Sequence, residues 1–276
     1  MNYSTTIKFT AIVLCGLAQY VVAAPKMVAH RGAGDLTMPE ASLPAYSNAV
    51  AAASDIVKLD LQHTKDGVVV MGHDNTLKRN MGWDVAISTV TYQEIYEKGR
   101  FLEGKVPGKE RIVRLDQALA IVKSVPEFWL DFKAKFSPEL GEKVLASLAA
   151  AGIDESRVMI ATFNRPALKY FQTHHPAIRR VGHFSFKRDK DGDPDNAKAM
   201  QKVLAYRDEF GLFGVNMPVL AKQTRPEDVA FLKKNGLWVS LWFVQNADFA
   251  KFYRPANADA FVTDHVSPVR EALRDQ

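Results

Sequence analysis

From residue 26 onward, short apolar runs alternate with longer stretches in which apolar side chains recur every three or four positions. The runs at 26–30, 55–61, 127–132, 158–163, 179–184, 212–217, 237–244 and 259–263 are bounded by turn formers and predict eight strands. A further short strand at 68–71 follows the tight turn at Asp66-Gly67. The helical spacing falls at 40–53, 115–124, 138–151, 165–174, 196–209, 225–235 and 246–254. Strands that alternate with helices require a parallel sheet with helical crossovers, and eight such units predict an α/β fold of the (β/α)8 barrel type. A doubly wound sheet is the other architecture with this alternation. Residues 75–111 break the rhythm and are expected to form an insertion after the second strand, with a short helix near 91–98. Neither a repeat nor a linker divides the chain, so residues 24–276 are expected to form a single domain.

The N-terminus does not fit that rhythm. Residues 2–8 are polar and carry Lys8, residues 9–22 are mostly apolar, and Ala23 and Ala24 precede Pro25. This is the order of a secretory signal peptide, expected over residues 1–23, with Val21 and Ala23 at the two small-residue positions before the cut. The apolar stretch is shorter than the ~20 residues a membrane span needs. Export to the periplasm or the medium follows as an expectation. Cleavage would remove Lys8 and Cys15, the one cysteine, and lower the formal charge from +5 to +4. A cysteine-free mature chain excludes a disulfide framework and thiol chemistry. Its basic residues are scattered among acids, as in 179–193, so no nucleic-acid partner is expected, and no obligate protein partner is evident.

Candidate chemistry gathers early in the chain. His30-Arg31-Gly32 ends the first strand, Glu40 follows, Lys58, Asp60 and Gln62 alternate along the second strand, and His73-Asp74 follows the short extra strand. In a barrel, strand ends converge on one face. Two histidines can transfer protons to and from a phosphodiester, and a guanidinium can hold the phosphate oxygens.

The His30-Arg31-Gly32, Pro39-Glu40, Asp60-x-Gln62-x-Thr64-Lys65-Asp66-Gly67 and His73-Asp74-x-Thr76-Leu77-x-Arg79 segments together resemble the glycerophosphodiester phosphodiesterases. The resemblance is dense over 28–80 and continues through Arg114-Leu115-Asp116, Leu130-Asp131-Phe132-Lys133, Trp242 and Thr263-Asp264. It implies a TIM barrel and a reaction in which a glycerol hydroxyl attacks phosphorus and water opens the resulting cyclic phosphate. His30 and His73 would be the acid and base, and Arg31, Lys133 and Trp242 would contact substrate. The implied substrate is a small glycerophosphodiester or a lysolipid.

The resemblance also implies a divalent cation, Ca²⁺ or Mg²⁺, on a Glu-x-Asp pair of the second strand and a third carboxylate. Here Lys58 stands in the Glu position, leaving Asp60 and Asp131, with Glu40 nearby. Residues 58, 60 and 62 share one strand face, so Lys58 is expected to point into the site. Three readings stay open. Lys58 stands in for the metal, the protein is an inactive barrel that binds a phosphorylated ligand, or Lys58 swings aside and the carboxylates still hold an ion. A lysophospholipase D or sphingomyelinase D is a further alternative. Asp74 is expected either to orient an imidazole or to close a turn, and Glu40 to serve either a helix N-terminus or a site residue. His183, ending the fifth strand, can line the pocket. His63, His174 and His175 are expected outside the site, and Phe213, Trp238 and Phe243 in packing.

Overall fold

Each predicted strand forms, and the sheet they build closes on itself. A computed structural model describes residues 24–33, 38–103, 106–185, 196–219 and 223–274, so the expected signal segment lies outside the described residues. The chain runs β1 (Lys26–Ala29), α1 (Leu43–Ala51), β2 (Ile56–His63), β3 (Val69–Met71), α2 (Lys78–Met81) and α3 (Tyr92–Lys98). Next come β4 (Leu102–Glu103), β5 (Val106–Pro107), α4 (Leu115–Val122), β6 (Glu127–Phe132), α5 (Pro138–Ala150) and β7 (Val158–Thr162). It continues through α6 (Arg165–His174), β8 (Arg179–His183), α7 (Asn196–Phe210), β9 (Gly214–Pro218), α8 (Pro226–Lys234), β10 (Trp238–Trp242), α9 (Ala247–Tyr253), β11 (Ala260–Thr263) and α10 (Val266–Glu271).

The strand order β1-β11-β10-β9-β8-β7-β6-β2, with β1 also paired to β2, is a closed ring of eight parallel strands. The doubly wound alternative is therefore excluded. Strand β3 hangs antiparallel on the end of β2, pairing Leu61 with Met71 and His63 with Val69. Its turn is the expected one: Gly67 has φ +73°, a conformation that glycine reaches without a steric penalty.

Three apolar clusters hold this arrangement. Val28, Ile56, Trp129, Met159, Val181 and Val262 fill the barrel bore. A larger cluster that includes Tyr46, Leu59, Leu130, Phe171 and Leu241 seals the sheet against the helices. A third, with Val70, Leu77, Ile87, Ile95, Phe101 and Ile112, lies under the insertion. Helix α1 starts later than the apolar spacing predicts because Ser42 caps it, accepting from Ala45 N–H at 3.3 Å, and Pro44 occupies its first turn. The insertion is more structured than expected, with α2, α3 and the β4–β5 hairpin. None of the helices among the described residues is long and apolar enough to cross a membrane.

Candidate active site

The alternation of β2 sets the centre of the site. Lys58, Asp60 and Gln62 all point into the barrel and are buried at 4%, 1% and 3% exposure. Strand β6 runs beside β2 with Asp60 opposite Asp131 and Lys58 opposite Trp129, so Asp131 and Lys133 face the same bore. Trp129 forms the apolar floor under this layer. The Lys58 ammonium contacts Asp60 Oδ1 and lies 2.8 Å from Asp131 Oδ2. Lys133 Nζ sits 2.7 Å from the same Asp131 oxygen and 3.7 Å from Asp60 Oδ1.

Electrostatics keep Lys58, Asp60 and Asp131 charged. Burial alone would push the Asp131 carboxyl up, but Lys58, His183 and Lys133 hold it well below the usual carboxylate range. Burial likewise disfavours the Lys58 ammonium, and Asp131 with Asp60 outweighs it, raising its pKa. The polar layer continues around the bore. His183, Asn216 and Ser240 are lateral neighbours on β8, β9 and β10. Ser240 O–H donates to Asn216 Oδ1 at 2.8 Å, and Asn216 Nδ2 donates to His183 Nδ1 at 3.1 Å. With Nδ1 accepting, the imidazole proton sits on Nε2, which lies 3.3 Å from Asp131 Oδ2. Burial lowers the His183 pKa, keeping the ring neutral.

The two histidines singled out in the sequence flank this layer. His30 follows β1 and is 6% exposed, with Nδ1 2.7 Å from Asp264 Oδ1. Asp264 follows β11 and receives the Gln245 side-chain amide on its other oxygen. His73 follows β3, with Nδ1 2.7 Å from Asp74 Oδ1. Gln62 anchors this loop by donating to the Asp74 carbonyl at 3.0 Å. Asp74 therefore orients an imidazole, settling the choice the sequence left open. Arg79 bridges Asp74 to Glu40, and Glu40 also accepts from Arg31 Nη1 at 2.6 Å. Burial would raise the Glu40 carboxyl, yet the two arginines hold it at about 2. Arg31 Nε lies 3.4 Å from Asp60 Oδ2, so the chain of charges runs unbroken from His73 to Lys58.

Arg31, Gly32 and Ala33 have φ of 53°, 86° and 56°, three successive left-handed residues that turn the chain sharply after His30. A Cβ on Gly32 would sit 3.0 Å from the backbone of Ala45 and Tyr46. Gly32→Ala is expected to lower stability by about 1–3 kcal/mol through this strain. A urea unfolding midpoint equal to the parent's would refute that account.

One cleft is lined by His30, Lys58, His73, Asp131, Lys133 and His183 on its polar side. Phe163, Trp242 and Phe243 line the other side. Phe243 packs against His30 with ring centroids 4.4 Å apart, so it belongs to the cleft and not to remote packing as its sequence context suggested. Phe163 is 47% exposed at the rim and meets both His183 and Trp242 edge to face. His63, His174 and His175 lie outside the cleft. The contributions of Asp264, Asn216, Ser240 and Phe243 are missed by sequence reasoning. Inward strand parity is the signal that points to Asn216 and Ser240.

The carboxylates do not fit a divalent ion. An ammonium stands between Asp60 and Asp131, and both Glu40 oxygens are held by arginines. Among the described residues, no three His, Cys, Asp or Glu side chains are disposed to hold a metal. Ca²⁺ requires about six to eight oxygen ligands, which this set does not offer.

Comparison with known proteins bears on the family and the fold. The sequence pattern of the Glycerophosphoryl diester phosphodiesterase family matches residues 30–267. A glycerophosphodiester phosphodiesterase of Caldanaerobacter subterraneus subsp. tengcongensis is 25% identical over 86% of this chain and 93% of its own. Among solved structures, an Oleispira antarctica phosphodiesterase in complex with the product sn-glycerol-3-phosphate is similar with a TM-score of 0.73 and 19% identity. That match covers 91% of this chain and 97% of the other. A Thermotoga maritima glycerophosphodiester phosphodiesterase has a TM-score of 0.68 at 20% identity, over 90% and 98% of the two chains.

Proposed function

The chain belongs to the glycerophosphoryl diester phosphodiesterase family and is a phosphodiester hydrolase acting on glycerophosphodiesters, and from that premise we propose that His30 and His73 divide the proton transfers that release glycerol 3-phosphate and an alcohol. The observation that carries this reading is the pair of histidine–aspartate contacts facing one cleft. Each aspartate holds Nδ1–H and leaves Nε2 to exchange a proton with the substrate.

In the working state one ring is neutral and the other protonated. The neutral ring takes the proton of a glycerol hydroxyl as its oxygen attacks phosphorus. The protonated ring gives its proton to the departing alcohol oxygen, and a cyclic phosphate remains. Water then adds with the roles exchanged: one ring takes its proton, the other protonates the glycerol oxygen that leaves phosphorus, and the pair is restored. Arg31 and Lys133 supply charge to the phosphate oxygens. Trp242, with Phe163 and Phe243, offers an apolar face to the alcohol side, which favours including lysolipids among the substrates tried. The apolar segment 9–22 and the small residues at 23–24 support export of the mature enzyme to the periplasm or the medium.

The test is turnover of glycerophosphocholine, glycerophosphoethanolamine and lysolipids, read as glycerol 3-phosphate or its acyl derivative. Absence of product from every diester overturns the reading in favour of a binding-only barrel. The pH profile has a definite sign. Burial is the largest influence on both imidazoles and holds both below the ordinary value of about 6.5. The protonated partner is therefore lost at a lower pH than for a free imidazole, and the optimum of kcat/KM is expected below about pH 6.5. An optimum above about pH 7 contradicts the burial argument.

A further inference from the structure

We propose that Lys58 is the fixed cation of the site, a tethered ammonium that does the electrostatic work of a bound divalent ion in this hydrolase. The inference rests on the phosphodiesterase reading above and deepens it.

Three observations carry it. First, the ammonium is placed as a ligated ion would be, between the facing carboxylates of Asp60 and Asp131 on neighbouring strands. It also lines the cleft beside His30, His73 and Lys133, so it faces the phosphate's position and is not confined to the protein interior. Second, the seat is built. The Ser240–Asn216–His183 chain sets the tautomer that turns Nε2–H toward Asp131. Trp129 closes the floor beneath, and the left-handed turn at Arg31 brings its guanidinium to Asp60. A salt bridge that merely neutralised two carboxylates would need neither the opening to the cleft nor this support.

Third, the charge balances. A lysine in place of a glutamate raises the site's charge by two, the charge of the ion it would displace. Two carboxylates and one ammonium carry the same net charge as three carboxylates and a divalent cation. The phosphodiester therefore meets the same overall field, and the cation cannot be lost to a chelator. In the reaction Lys58 neither gives nor takes a proton. It stabilises negative charge on the phosphoryl oxygens while the attacking oxygen bonds to phosphorus and the alcohol oxygen leaves.

The test uses the full mature chain, wild type and Lys58→Met and Lys58→Glu variants, with folding checked by circular dichroism. Wild-type turnover is expected to be unchanged by EDTA, and titration calorimetry with Ca²⁺ and with Mg²⁺ to show no stoichiometric binding. Lys58→Met is expected to lower kcat about 100- to 1000-fold with KM nearly unchanged, the signature of a group that acts in the transition state. Lys58→Glu is expected to bind one ion per chain, and added Ca²⁺ or Mg²⁺ to restore its turnover. Loss of wild-type turnover in EDTA with recovery on adding metal overturns the proposal, as does tight ion binding by wild type. A Lys58→Met variant that retains its kcat overturns it too, and does so even if Lys58→Glu fails to fold. Should wild type turn over no diester, the phosphodiesterase reading fails, and calorimetry on wild type and Lys58→Glu still decides whether the ammonium holds the ion's place.

Discussion

Replacing His30 by alanine is expected to lower kcat on glycerophosphodiesters by about 10³- to 10⁴-fold, the upper part of what one positioned acid–base group contributes. The imidazole is buried against Phe243, is held at Nδ1 by Asp264, and lines the cleft. Asp264→Asn is expected to lose about 100-fold or more with His30 still present. An amide cannot stabilise the imidazolium and can favour the wrong tautomer. Circular dichroism should show both variants folded, since the bore and the helix layer are untouched. Steady-state kinetics give the check: a His30→Ala enzyme within about tenfold of the parent would remove His30 from the proton path.

Asp131→Ala should have the largest effect on stability. Its Oδ2 forms ion pairs with two ammonium groups, Lys58 at 2.8 Å and Lys133 at 2.7 Å, in a place that is 1% exposed. Taking the carboxylate away leaves the buried Lys58 ammonium with Asp60 alone, and breaking a buried pair in this way destabilises by about 3–5 kcal/mol. Replacing the whole cluster with apolar residues would have a smaller effect, because the expense lies in the stranded charge and not in the loss of an attraction. Urea unfolding provides the measurement. A loss below about 1 kcal/mol would mean that the two ammoniums reach solvent through the cleft once the carboxylate is gone.

The barrel was legible because its signal is repeated eight times. Each strand run is short and apolar, each crossover has helical spacing, and an error in one unit does not change the count. The site was legible where chemistry sits on one strand: the parity of 58, 60 and 62 places all three inside, and all three are buried. What could not be read were partnerships across strands. Asp264 meets His30 from the far end of the chain, 234 residues away, and only closure of the ring by β1 and β11 brings them together. The Ser240–Asn216–His183 chain depends on the register of three strands, which no spacing within one segment reveals. Helix α10 was missed for a local reason: its six residues include Pro268 and are too few to show a period.

The hairpin strand β3 has one more implication. His30 belongs to the closed ring, whereas His73 rides on an appendage whose far side rests on the separate small cluster of Val70, Leu77, Ile87 and Ile95. The two halves of the proton-transfer pair are thus kept by two different cores of unequal size. Smaller cores open by local fluctuation at lower free energy than the whole molecule. The chain is consequently expected to show two thresholds: beyond the first it keeps its barrel and loses its chemistry, and only beyond the second does it lose its fold. On heating, loss of activity is therefore expected to precede loss of the fold.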